Sequence, residues 1–376
     1  MIKIYKCIAI VLSLVFVCSG ILAQEVPQAG DRRIAKILVQ MIVKHDVPAL
    51  AGVIVTSDGK TISAVAGYRK KGETVGVTLQ DKWHLGSDTK SMTAMLIGML
   101  VDADKLKWET TLEEVFPQRS RKWHAQVKKI TMLQLLSHRA GLKANLSYGL
   151  YPGTDVKAIR ELTMKCELSV KPDTKPGSTY LYSNWGYIIA GGVIEKITGK
   201  SWNNVIQAKL FKPLGMSSAG FGGLGTLGQI DQPWPHGENG KPIGSNGPLV
   251  DNPPVLGPAG RVHCTMEDWA KFIADQLRGV NGQKALIKQA TYQNLHTPPF
   301  EGNYAMGWKS LDRPWGGGGK VLTHSGSNTM NYCTVWIVPK RDFAVLIACN
   351  QGGAAAAKAC DDVAGGLIRM YDARNK

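Results

Sequence analysis

The stretch best equipped for chemistry is Trp83-His84-Leu85-Gly86-Ser87-Asp88-Thr89-Lys90-Ser91-Met92-Thr93-Ala94, where a serine stands three residues before a lysine. Met92, Met95, Leu96, Met99 and Leu100 then recur at helical spacing, and no proline interrupts Thr89 to Ala103. Ser87 is therefore expected at a helix start, with Lys90 one turn later on the same face. A serine hydroxyl becomes a good nucleophile when a neighbouring base takes its proton. A lysine can be that base once burial lowers its pKa. The helix N-terminus also favours developing negative charge. The plain alternative is a serine N-cap followed by a lysine on a solvated first turn.

Two later stretches carry further polar groups. Tyr182-Ser183-Asn184 stands just before an expected helix, and His324-Ser325-Gly326-Ser327 ends an expected strand. Singly, the first reads as a turn and the second as a strand exit. His138 lies within Ile130 to Leu142, a segment that starts helical and breaks at Gly141. Its reading is a loop-holding hydrogen bond, with catalysis as the alternative.

The elements that must position these groups follow from periodicity. Arg32 to Lys44 reads as an amphipathic helix, and Ala49 to Thr56 and Thr61 to Gly67 as a hairpin around Asp58-Gly59. Leu106 to Phe116 reads as an irregular connection. Trp185 to Thr198 is a helix stopped by Gly199, and Ser201 to Leu210 another before Pro213. Gly220 to Pro258 is rich in Gly, Pro and Asn and reads as long loops that shape a site or cross a surface. Met266 to Arg278 is a helix. Tyr304 to Ser310, Val321 to His324, Tyr332 to Val338 and Phe343 to Ala348 are strands. Ala354 to Arg374 closes the chain as a helix with a weak point at Gly365-Gly366. Gly316 to Gly319 before Lys320 is a turn, because no Ser or Thr follows the lysine as a phosphate loop requires. Strands at both ends and helices between predict an α/β fold of α+β type. Its mainly antiparallel sheet is built from 24–104 and 255–376, a helical, loop-rich insert spans 105–254, and the active site lies between them.

The 376 residues suffice for a sizeable core, and 44% apolar with 20% charged content is globular, not disordered. Residues 1–23 read as a signal peptide: Lys3 and Lys6, then an apolar Ile8 to Val17, then Ala23 before Gln24. Export to the periplasm or outside is expected, with lipidation at Cys18 or an uncleaved anchor as alternatives. The formal charge is +16, and +14 without those two lysines. That balance suits an anionic cell-wall surface. The densest basic cluster, Arg119, Arg121, Lys122, Lys128 and Lys129, reads as a solvated face, and no nucleic-acid-binding pattern accompanies it. Five sparse cysteines follow the leader without a C-x-x-C, so neither a zinc site nor a disulfide scaffold is indicated. Cys333 and Cys349 stand on neighbouring expected strands, so one disulfide or two buried thiols are both open.

In their order these segments resemble the serine β-lactamase and penicillin-binding protein superfamily. The branch is that of class C β-lactamases, D-aminopeptidases, D-Ala-D-Ala carboxypeptidases and related esterases. The resemblance rests on Leu85 to Lys90, Leu135-Leu136-Ser137-His138-Arg139-Ala140-Gly141-Leu142, Pro176-Gly177, Tyr182 to Asn184, Pro213-Leu214-Gly215-Met216, Pro258-Ala259-Gly260, Gly307-Trp308 and His324-Ser325-Gly326. It implies that Ser87 forms an acyl-enzyme while Lys90 and Tyr182 share proton transfer. It also implies that Asn184, His324, Gly326 and Ser327 bind substrate, with His324 touching substrate or Tyr182. The resemblance further implies that the backbone N–H groups of Ser87 and Ser327 form the oxyanion hole. No metal or organic cofactor is implied. In the resembled branch the β-lactamases carry lysine where His324 stands, and histidine is seen in relatives that act on D-peptides or esters. A neutral imidazole grips a substrate carboxylate less well than an ammonium. The implied activity is a secreted serine hydrolase on an ester or a peptide or amide bond. The alternatives are a β-lactamase proper, and a penicillin-binding sensor acylated without turnover. A wall-associated scaffold is the remaining non-enzymatic option.

Overall fold

The computed structural model describes residues 26–146 and 155–374; the expected leader 1–23 lies outside the described residues. One antiparallel sheet dominates. It is formed by β1 (Gln28–Gly30), β2 (Ala49–Val55), β3 (Thr61–Gly67), β7 (Lys309–Asp312), β8 (Lys320–Ser327), β9 (Tyr332–Val338) and β10 (Phe343–Cys349), in the spatial order β1-β3-β2-β10-β9-β8-β7. The first and last thirds of the chain therefore share one sheet, with Ala51 opposite Ala348 across the β2–β10 seam. A smaller antiparallel sheet joins β4 (Lys82–His84), β5 (Gly220–Phe221) and β6 (Val262–Thr265) in the order β4-β6-β5. These short strands carry too few residues for an alternating pattern to be read in advance.

Among the described residues, the longer α-helices around this frame include α1 (Arg32–His45), α2 (Thr89–Asp102), α3 (Val156–Glu167), α4 (Asn184–Thr198), α5 (Met266–Val280), α6 (Gln289–His296) and α7 (Gly353–Arg374). Helices α1 and α7 cover one face of the large sheet. There Ile34, Leu38, Leu50, Val345, Cys360 and Leu367 form one apolar layer. Gly365-Gly366 does not break α7. A Cβ on Gly366 would stand 3.0 Å from Ile37 Cγ2, so the missing side chain lets the two helices approach. The other face packs on α5 and on α2, which is buried continuously from Thr89 to Gly98. Burial of that kind contributes about 1.5–3 kcal/mol for each of Met92, Met95 and Leu96.

Several local expectations need correction. Leu106 to Phe116 holds a short helix, Leu112–Val115, started by a Thr111–Glu114 capping box. Of Tyr304 to Ser310 only the end is a strand. Ala305 N–H donates to Trp308 O and Ser310 N–H to Asn303 O, which folds the segment back on itself around Gly307 at φ +83°. Helices α3 and α6 were not foreseen. Cys333 and Cys349 are both free. Cys333 pairs with Ala348 and Cys349 with Tyr332, one residue out of register. Their side chains therefore leave opposite faces of the sheet, Cys333 toward α2 and Cys349 toward α7. In the basic cluster, Arg119–Lys122 form a short helix whose Arg119 pairs with Glu161, 2.8 Å apart, and Lys129, after the next short helix, pairs with Glu113.

Candidate active site

Ser87 sits in a 3-10 turn, Gly86–Asp88, that feeds α2. Gly86 has φ +46°, and a Cβ there would lie 2.4 Å from Ser327 N on β8. A Cβ on Gly326 would lie 2.0 Å from Leu85 O and 2.9 Å from Ser87 N. The two glycines thus let the turn and the strand touch, and the backbone nitrogens of Ser87 and Ser327 stand side by side. The turn is fixed from below: Cys333 Sγ lies 3.1 Å from Leu85 O and 2.9 Å from Asp88 Oδ2, two acceptors that share its single S–H.

Ser87 Oγ lies 3.0 Å from Lys90 Nζ and 2.9 Å from Tyr182 OH. Lys90 Nζ also meets Asn184 Oδ1 and Ala259 O, each at 2.7 Å. Lys90 is fully buried. Burial drives its pKa well below the ordinary lysine value, with Asp88 opposing. Burial also pushes Asp88 up, to about 7, against a hydrogen bond from Cys333 and the charge of Lys90. The Tyr182 phenol is raised by burial, with the Ser87 hydrogen bond opposing, so it stays protonated at neutral pH.

Tyr182 is held in place by His138. The His138 ring packs on the Tyr182 ring, tilted by 39° with centroids 4.2 Å apart. Its Nδ1 accepts Ser183 N–H at 3.0 Å, and its carbonyl accepts Leu181 N–H at 2.8 Å. The residue itself adopts φ +58°. His138 therefore holds the loop, as the sequence reading had it. Asn184 opens α4 and reaches Lys90 through Oδ1 and Asn145 through Nδ2 at 2.8 Å.

His324 does not contact Tyr182. It is 4% exposed, its Nε2 lies 3.0 Å from Tyr304 OH, and its Nδ1 lies 2.9 Å from Ser325 O and 3.6 Å from Asp88 Oδ1. Alternation along β8 turns Ser325 and Ser327 outward and His324 inward. Burial first, then the Lys90 charge, pushes its pKa down to about 3, so the imidazole is neutral. Sequence reasoning missed Asp88, Ala259 and Tyr304 as neighbours of this group. Asp88 and Ala259 lay inside quoted motifs; nothing near Tyr304 marks it.

A family profile described as Beta-lactamase matches residues 34–365. The chain belongs to the Beta-lactamase family. Penicillin-binding protein 4 of Amycolatopsis lactamdurans is 26% identical over 331 residues, covering 82% of each chain. Protein flp of Staphylococcus aureus (strain N315) is 23% identical over 328 residues, 85% of this chain; the chain spans 63% of that relative's length. Two solved structures share the fold. The octameric penicillin-binding protein homologue of Pyrococcus abyssi has a TM-score of 0.70 at 21% identity, covering 90% of this chain and 77% of its own. The D-alanine carboxypeptidase AmpC of Burkholderia cenocepacia has a TM-score of 0.70 at 18% identity, covering 89% and 98%. In this Beta-lactamase family member the structure gathers Ser87, Lys90, Tyr182 and Asn184 into one hydrogen-bonded group. Gly326 and Ser327 lie against it, and His324 lies beneath.

Proposed function

We propose that the protein is a serine hydrolase that cleaves an ester, or a peptide or amide bond, through an acyl-enzyme on Ser87. The observation that carries this is the placement of Ser87 Oγ between Lys90 Nζ and Tyr182 OH. A neutral amine has two N–H donors and one lone pair. Asn184 Oδ1 and Ala259 O take the two donors, which leaves the lone pair for the Ser87 hydroxyl. Lys90 is thus the base that takes the Ser87 proton as Oγ attacks the carbonyl. Tyr182, kept as a phenol, donates a proton to the departing oxygen or nitrogen and regains one from the Lys90 ammonium. One proton has then moved from Ser87 to the leaving group, and water repeats the sequence in reverse. The N–H groups of Ser87 and Ser327 receive the oxyanion.

A buried, neutral His324 offers no ammonium for a substrate carboxylate, which favours uncharged acyl donors over β-lactams. Penicillin-binding and D-alanine carboxypeptidase relatives support acyl transfer as the reaction class. The test is a panel of acyl esters, D-amino-acid peptides and a chromogenic cephalosporin, run with wild type and Ser87→Ala. Turnover of an ester or peptide, lost in a folded Ser87→Ala, is expected. Equal turnover by both removes Ser87 from the mechanism, and a labelling burst without steady-state product replaces hydrolysis by a sensor role. Export through cleavage after Ala23 belongs to the same reading. Exported material whose N-terminus is not Gln24 would refute it.

A further inference from the structure

Asp251 lies outside the acid–base group, near the end of the long 220–258 stretch, and its side chain is fully buried. Three segments converge on it. His84 Nε2, on β4, is 3.0 Å from Oδ1; Arg261 Nε donates to Oδ2 at 3.1 Å; Asn328 Nδ2 donates to Oδ1 at 2.9 Å. Two of these partners lead back to the oxyanion pair. His84 Nδ1 accepts the N–H of Gly86 at 3.0 Å, a pattern that places the imidazole proton on Nε2, the nitrogen 3.0 Å from the carboxylate. Gly86 immediately precedes Ser87. Asn328 immediately follows Ser327, and its Oδ1 accepts Met330 N–H at 3.2 Å and Asn331 Nδ2 at 3.1 Å.

Burial alone would raise the Asp251 pKa, but His84, Asn328 and Arg261 bring it down to about 2, so the group is ionised at neutral pH. Anchoring the loop would need only Arg261, on the adjoining segment. The other two contacts run to the turn and the strand whose amides face each other. Nothing in the motif series pointed to Asp251, because its partners are distant in sequence.

We propose that Asp251 is a positioning residue for the Ser87 and Ser327 backbone N–H groups. One carboxylate clasps the turn through His84 and β8 through Asn328. The long 220–258 stretch, which carries Asp251, is thereby coupled to the alignment of the two donors. This rests on the reading of Ser87 as nucleophile.

The test uses the full chain as wild type, Ser87→Ala, Asp251→Asn and Asn328→Ala. Asp251→Asn keeps the volume and one acceptor but loses the charge that faces Arg261 and His84. Two quantities are read: kcat and KM on a p-nitrophenyl ester, and hydrogen–deuterium exchange of segments 84–92 and 324–331. The expected result for Asp251→Asn is a fall in kcat of roughly tenfold to hundredfold, since full loss of one oxyanion donor costs about 10²–10³-fold. KM should change little, and exchange in the two segments should quicken while other segments stay as in wild type. A merely structural residue would lower the melting temperature and speed exchange broadly without that kcat-selective loss. A folded Asp251→Asn with wild-type kcat and exchange overturns the proposal. If Asp251→Asn fails to fold, Asn328→Ala, which cuts only the β8 side, is judged by the same readouts. Absent turnover in wild type, or equal turnover in Ser87→Ala, refutes the Ser87 reading instead, and the exchange measurement still decides the role of Asp251.

Discussion

At Lys90 two influences compete. Removal from water disfavours the ammonium, while the nearby Asp88 carboxyl favours it. Asp88 is itself pushed up to about 7, so it is a fractional anion at neutral pH and cannot hold the ammonium fully. Burial therefore wins, and the free amine is the resting form. Acylation then requires the deprotonated amine, so kcat/KM should fall as pH drops through the depressed Lys90 pKa and stay level above it. Lys90→Met should lower kcat/KM by about 10²–10⁴-fold, the range of general-base catalysis, and erase the acid limb. Tyr182→Phe should lower kcat yet keep that limb, because the phenol does not titrate near neutrality. A pH–rate profile decides this: an acid limb that survives in Lys90→Met assigns the titration to another group.

The next scale is the contact between β8 and the Gly86–Asp88 turn. Gly326 faces backbone, not a yielding side chain, with Leu85 O only 2.0 Å from the place a Cβ would take. Gly326→Ala must push the strand off the turn and part the two amides. Acylation should slow by about 10²-fold or more, as when an oxyanion donor is removed, with burst kinetics as the measure. Acylation at the wild-type rate would show that the contact is slack. At this scale the sequence was readable where periodicity is local. The Ser87–Lys90 offset, α1, the β2–β3 hairpin, α4 with its Gly199 stop, and β8 to β10 follow from neighbours in the chain. Strands β4 and β6 escaped because three or four residues hold no period. Helix α6 escaped because eight largely polar residues, Gln289–His296, show little apolar stripe. The facing of Cys333 and Cys349 turned on a one-residue register that only pairing sets. In the site, residue types suggested Tyr182 and Asn184. The inward turn of His324 depended on which face of β8 packs on the core.

Across the whole molecule, buried neutral histidines set the response to acid. Burial pushes His236 and His263 down to about 4 and His296 and His324 down to about 3, from an ordinary 6.5. Between those values and 6.5 the unfolded chain binds more protons than the folded one, so stability falls as pH drops through that window. Asp88 acts in the opposite sense between 3.8 and about 7, because its folded form is the more protonated. Burial also lowers His138 and raises Asp275 and Asp361, so five histidines stand against three carboxyls, and the histidines prevail. Asp251, held at about 2, extends the loss below 3.8. The melting temperature should therefore drop steadily from pH 7 to pH 4, with proton uptake on unfolding seen by calorimetry in buffers of different ionisation enthalpy. A level melting temperature over that range would contradict it.

The seam between β2 and β10 has a bearing on synthesis. A ribosome that has delivered the nucleophile by residue 87 must still add β8 to β10, from Lys320 to Cys349, before the floor beneath it exists. On the proposed reaction, a nascent chain halted short of Ser327 lacks the second amide and should be chemically silent. On that same reaction, the ability to cut a bond arrives only once β8 to β10 have been made, well over two hundred residues after Ser87 itself.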